Sequence, residues 1–262
     1  MRLDERDVVD LRFLASDAPQ AENPGALTYA EYNVNPDSAA PNNIRRGADK
    51  DVQQQQLSLT YTRKLPKYSG ALTATVFGLL RDLQNPLATP PPGPQGPEAP
   101  IAGTYVAIDR KAGGIRLAAQ ARPGQDWRIP LLSVGIDVQG MGDARENFRS
   151  LAGERTDSVL IDQQENVTEI GPYVALNWNA TERILVSAAG RYDWVRFTVI
   201  DHHFSDGVDN SGSRVLSAPS GTAGVSYFAS EAVIPYFNVS TAFETATTTE
   251  LANQPGTSGG FN

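Results

Sequence analysis

The feature that most constrains this chain is a period-two alternation of apolar and polar residues, carried through segment after segment. In 57–62, Leu57, Leu59 and Tyr61 fall on one face, and Ser58, Thr60 and Thr62 on the other. Leu72, Ala74 and Val76 alternate with Thr73 and Thr75, and Leu132, Val134, Ile136 and Val138 repeat the pattern. In 115–122 the polar face holds Arg116, Gln120 and Arg122. Ile170, Val174, Leu176 and Trp178 form a further set, as do Phe237, Val239, Thr241 and Phe243. Successive strand side chains point to opposite faces, so each segment is a strand with one apolar and one polar side. Helical spacing is almost absent.

The segments are long. About nine strands are expected, near 7–16, 52–65, 70–83, 103–122, 126–140, 165–178, 182–199, 213–229 and 232–246. Several far exceed the roughly five or six residues of an ordinary strand. Short turns at 66–69, 123–125, 179–181 and 229–232 alternate with long polar loops at 84–103, 141–164, 199–213 and beyond 245. Residues 17–50, with Pro19, Pro24, Pro36 and Pro41, read as another long loop, with a short strand expected at 26–32. The proline-rich run 90–97 cannot pair in a sheet and marks a loop tip. Short turns at one end and long loops at the other are the organisation of an outer-membrane barrel. Tyr68, Trp127, Trp178, Phe228 and Tyr236 lie near the short turns, and Tyr105, Tyr192, Trp194 and Phe243 toward the long loops, as two interfacial belts would. The fold expected is all-β: a partial antiparallel transmembrane β-barrel meander with short periplasmic turns and long extracellular loops. Its rivals are a soluble secreted β-sandwich, lectin-like or carbohydrate-active, and a small complete porin-like barrel.

Composition bears on the choice. Only 40% of residues are hydrophobic, which suits a soluble protein until the alternation is considered. A barrel wall turns every second residue to lipid and its loops are polar, so the fraction is low for that reason. The net charge of −8 and the absence of a basic cluster argue against nucleic acid as a partner. With no cysteine there is no disulfide, thiolate metal site or cysteine nucleophile. The two histidines, His202 and His203, are adjacent, which excludes an HExxH zinc motif and leaves little room for a Ser-His-Asp triad. Gly140-Met-Gly-Asp143 lacks the third glycine of a dinucleotide loop. No catalysis, cofactor or metal is expected. The N-terminal residues carry no apolar h-region, so no signal peptide is expected within this chain.

The C-terminal third carries a resemblance. Ala189-Gly-Arg-Tyr-Asp-Trp194 resembles the G-x-R-Y-D strand of TonB-dependent outer-membrane receptors. The run from Tyr236 to Thr245, then Thr248-Thr-Glu-Leu251 and Gly259-Gly-Phe-Asn262, is similar to their Y-x-N-x-S-x-x-F-E-x-P-T-x-x-E-L segment, with Ala246 in place of the usual proline. Arg46-Gly-Ala-Asp49 before Gln53–Gln56 looks like a loop-to-strand transition of the same family. Gly190, Arg191, Tyr192, Asp193, Phe243, Glu244, Glu250 and Leu251 are the motif residues, with structural roles implied.

The resemblance implies a barrel of about 22 strands closed by an N-terminal plug. It further implies uptake of a ferric siderophore or another scarce ligand, driven by the TonB energy-coupling system, in a protein embedded in outer-membrane lipid. Residues 1–262 are expected to be part of that barrel domain, without plug, TonB box or C-terminal strands. Ligand contact is expected in the outer loops, with Arg45, Arg46, Arg145, Arg149, His202 and His203 as candidates. Each also fits an ordinary solvated loop. Arg116, Arg122 and Asp193 are expected to face the lumen and to pair across strands.

Overall fold

A computed structural model describes residues 6–94, 96–124, 126–245, 247 and 248. Nine strands follow one another in a single antiparallel sheet in chain order. They are β1 (Asp7–Ala18), β2 (Asp51–Leu65), β3 (Gly70–Leu87), β4 (Ala102–Ala121), β5 (Leu131–Leu151), β6 (Glu154–Asn179), β7 (Ile184–Asp201), β8 (Gly212–Tyr227) and β9 (Tyr236–Thr241). No described helix is long and apolar enough to cross a membrane.

Two neighbouring rows of side chains show which face is which. Leu11, Leu59, Val76, Ile115 and Val138 are register partners across β1 to β5. They are 67%, 47%, 53%, 48% and 41% exposed. On the opposite face run Gln54, Arg81, Arg110, Asp143 and Glu165, partners across β2 to β6. There, Asp143 and Glu165 are each only 3% exposed. A sandwich buries its apolar rows against a second sheet. This sheet leaves them open and buries charge instead, which excludes the sandwich and fits a barrel wall with lipid outside and a polar lumen. Tyr192 and Trp194 sit on the outer face, and Tyr68, Trp178, Phe228 and Tyr236 are exposed near the short turns.

Three expectations need correction. Residues 141–164 are not a long loop: β5 and β6 run on to a two-residue turn, Ala152-Gly153, with positive φ at both (50° and 90°). That is the backbone a tight hairpin demands. A bulge lies at 147–150 near the turn. The short strand expected at 26–32 is instead a helix, α1 (Tyr29–Val34), because Thr28 and Glu31 cap it reciprocally. A second short helix, α2 (Pro41–Arg45), starts on proline. The last strand ends at Thr241, so Phe243 is not in an outer belt. It turns inward against Val195 and Phe197, with Val167 and Leu216 beside them.

At the long-loop end, three connections are stapled together. The 19–50 segment closes on itself through Ala21 N–H to Lys50 O and Asn23 N–H to Ala48 O. Asp49 N–H donates to Pro86 O, and Ala152 N–H to Ile101 O. Gly47, at φ 56°, packs against the Ala152 carbonyl, where a side chain has no room. Ala102 and Ser150 beneath are fully buried.

Candidate functional site

The inner face is built from cross-strand ion pairs. Arg110 donates to Asp143 through Nε and Nη2 at 2.8 and 2.6 Å, a bidentate pair. Arg145 meets Glu165 at 3.2 Å, and Glu165 also accepts from Gln163 at 2.6 Å and from the Thr248 hydroxyl. Lower on the wall, Arg191 binds Asp137 at 2.6 Å, Asp193 at 2.5 Å and Glu169 at 3.1 Å. Glu169 also accepts from Gln139 at 2.6 Å. Phe243 and Thr245 line, with Ser220 and Thr241, an open pocket of about 400 Å³ beside this cluster. Arg116 lies 4.9 Å from the centre of the Phe77 ring, and Arg122 sits just past the end of β4.

The motif residues therefore divide. Arg191 and Asp193 form the lumenal cluster; Asp193 was expected to face the lumen, whereas Arg191 was a motif residue with only a structural role implied. Gly190 and Tyr192 face outward, Tyr192 OH reaching Ser217 Oγ at 3.0 Å. Glu244 lies past the end of β9, and Glu250 and Leu251 lie outside the described residues.

The ligand candidates also separate. Arg145 and Arg149 belong to β5, not to a loop: Arg145 is held in the wall, and Arg149 pairs with Glu98 at 2.8 Å. Arg46 is a strut, donating to Ala88 O at 2.6 Å and Ala99 O at 3.2 Å. Arg45 stays at the surface and bonds Asn42 Oδ1 at 2.6 Å. His202 and His203 open the β7–β8 loop. His202 Nδ1 is 3.6 Å from Asp162, and the His203 ring is 3.1 Å from Ser205 Oγ. Asp201 organises this loop by accepting from the N–H groups of His203 and Asn210, both at 2.9 Å. The Ser211 hydroxyl and N–H hold the Asp209 carboxyl below its ordinary range. Among the described residues no group of three His, Cys, Asp or Glu side chains is placed to hold a metal ion. The inward carboxylates Asp137, Asp143, Glu165 and Glu169 were not singled out from the sequence; the alternation over 132–138 placed Asp137 on the polar face, but Asp143 lay in a stretch expected to be a loop.

The profile "TonB dependent receptor-like, beta-barrel" matches residues 2–262. The chain belongs to that family. Among solved structures, this TonB-dependent receptor barrel is similar to the ferric citrate transporter FecA in its unliganded form, with TM-score 0.69, 13% identity, and 90% of this chain against 33% of that one. It is also similar to the copper transporter OprC, with TM-score 0.61, 18% identity, and 91% against 34%. The siderophore receptor PiuA from Acinetobacter baumannii gives TM-score 0.53, 12% identity, and 71% against 31%. At these identities the likeness is one of fold. The chain spans about a third of the length of the structures it matches. TonB-dependent receptors are transporters, not enzymes.

Proposed function

We propose that this chain supplies part of the barrel wall and outer loops of an outer-membrane receptor that takes up a scarce ligand, an iron complex of the ferric siderophore type. One observation carries the reading: a lumenal face of paired arginines and carboxylates behind an apolar outer face, in a chain of the TonB-dependent receptor family. Such a face belongs to a water-filled passage in lipid. Iron is favoured because two of the similar structures are named for ferric citrate and for siderophore uptake, and copper is the competing cargo because a third is named for it. In the intact receptor, ligand is captured by the outer loops, where Arg45 and His202 are exposed and His203 is half-buried. It is then released inward when the TonB energy-coupling system acts on a plug. Residues 1–262 are one segment of the barrel domain in this scheme.

The test is uptake of radiolabelled iron and copper by iron-starved cells carrying or lacking the intact gene, with and without a functional TonB system. Iron uptake that needs both the gene and TonB supports the proposal. Uptake of copper alone, or of neither metal, overturns the iron assignment.

A further inference from the structure

The lumenal row through β2 to β6 is sorted by charge: Gln54, Arg81, Arg110, Asp143, Glu165. Arg110 commits two nitrogens to Asp143, and Arg145 reaches Glu165. Three cations thus face two carboxylates, and the charge left over is Arg81. Its Nε is buried with no hydrogen-bond partner among the described residues, and it joins no ion pair there. Its register partners are Gln54 and another arginine, Arg110. Leu79 and Leu83 share its face two residues away on β3, and the half-buried Ile108 and Ala112 flank Arg110 on β4. Like charges directly opposite each other on adjacent strands destabilise a sheet. A guanidinium with apolar neighbours also loses hydration that only an anion restores well.

We propose that Arg81, with the Gln54 amide beside it, is an acceptor site for a carboxylate entering the lumen. The guanidinium fork suits a planar two-oxygen anion, and the neighbouring amide supplies a further N–H donor. The carboxylate belongs either to a soluble ligand or to a protein side chain held inside the barrel. The inference deepens the proposed function, naming the chemistry that the lumen recognises, and rests on the same reading of the inner face as a lumen.

The experiment uses the intact purified receptor and its Arg81→Gln and Arg81→Lys variants. Citrate, alone and as its iron(III) complex, is titrated by calorimetry, with the carboxylate-free hydroxamate complex ferrioxamine B as control. Thermal unfolding of each variant is recorded in parallel. If the source is a soluble ligand, wild type binds the citrate probe and Arg81→Gln weakens it roughly ten- to a hundredfold. Arg81→Lys then retains part of the affinity, and any binding of the hydroxamate is unaffected. If the source is a protein carboxylate, citrate does not depend on Arg81, but Arg81→Gln lowers the Tm and Arg81→Lys restores most of it. The proposal is overturned if Arg81→Gln changes neither citrate binding nor Tm, or if it raises the Tm with no loss of binding. These readouts are binding and stability, so a failure of iron uptake in cells leaves them interpretable.

Discussion

Arg191 shows how much one lumenal side chain holds together. It joins β7 to carboxylates of β5 and β6 and to its own neighbour Asp193. Because Asp137, Asp193 and Glu169 are partly shielded from water, removing their shared cation leaves like charges facing one another. Arg191→Ala in the intact receptor is expected to cost about 2 kcal/mol, a figure reduced because the guanidinium keeps some access to solvent. The urea midpoint of tryptophan fluorescence measures it. Gly171 makes a sharper test, since a Cβ there runs into the Arg191 guanidinium and comes within 2.8 Å of Asp193. Gly171→Ala is expected to displace Arg191, so its cost and that of Arg191→Ala should overlap. If the two costs simply add, the glycine is not there to make room for the arginine. The sequence disclosed only half of this cluster. Asp193 stands two residues from Arg191 on the same face, a relation that alternation alone reveals. Asp137 and Glu169 come from other strands, and finding them needs the register, which a slip of one residue inverts.

Strands and loops were legible where they meet lipid and not where they leave it. In the middle of β2, β3 and β4 the faces separate by inspection: Leu57, Leu59, Leu72, Val76, Ile115 and Leu117 point outward, while Ser58, Thr60, Thr73, Thr75 and Arg116 point inward. In β5 from 142 to 147 both faces are polar or small: Asp143, Arg145 and Asn147 point inward, while Gly142, Ala144 and Glu146 point outward. The alternation vanishes although the backbone ladder does not, and the segment looks like a loop. Its turn places Ala152 at φ 50°, a conformation that favours glycine. Ala152→Gly is expected to stabilise the hairpin by about 0.5–1 kcal/mol, seen as slower amide exchange along 145–160. At α1, the Thr28 N–H and hydroxyl hold the Glu31 carboxyl below its ordinary value of 4.5. A depressed carboxyl pKa stabilises the folded form above the unfolded value, and that contribution fades as pH falls through the folded one. Exchange protection of 29–34 should therefore decline on acidification, and Thr28→Ala should remove both the protection and its pH dependence. An acid response that survives Thr28→Ala would place its origin elsewhere.

Over the whole molecule, the sheet is open between β1 and β9 among the described residues, and unpaired strand edges are not tolerated in lipid. Residues 1–262 expressed alone are thus expected not to yield a detergent-resistant monomer whose gel mobility shifts on heating. Recovery of such a monomer would mean that the chain closes a barrel by itself. The architecture was visible in advance because loop length and strand period are properties of long stretches. The inward turn of Phe243 was not, since it depends on where β9 stops and on the apolar patch formed by Val195 and Phe197. The staple at the outer end reaches beyond stability to how such receptors diversify. Arg46 bonds two carbonyls of the β3–β4 connection, and the Ala152 carbonyl lies where a side chain at Gly47 would go. Grafting any one of these three connections into a relative would break contacts belonging to the other two. Among the described residues the β7–β8 loop bonds to its own strands and to β6. Recombination between receptors should therefore exchange residues 202–211 freely, but inherit 19–153 as one block.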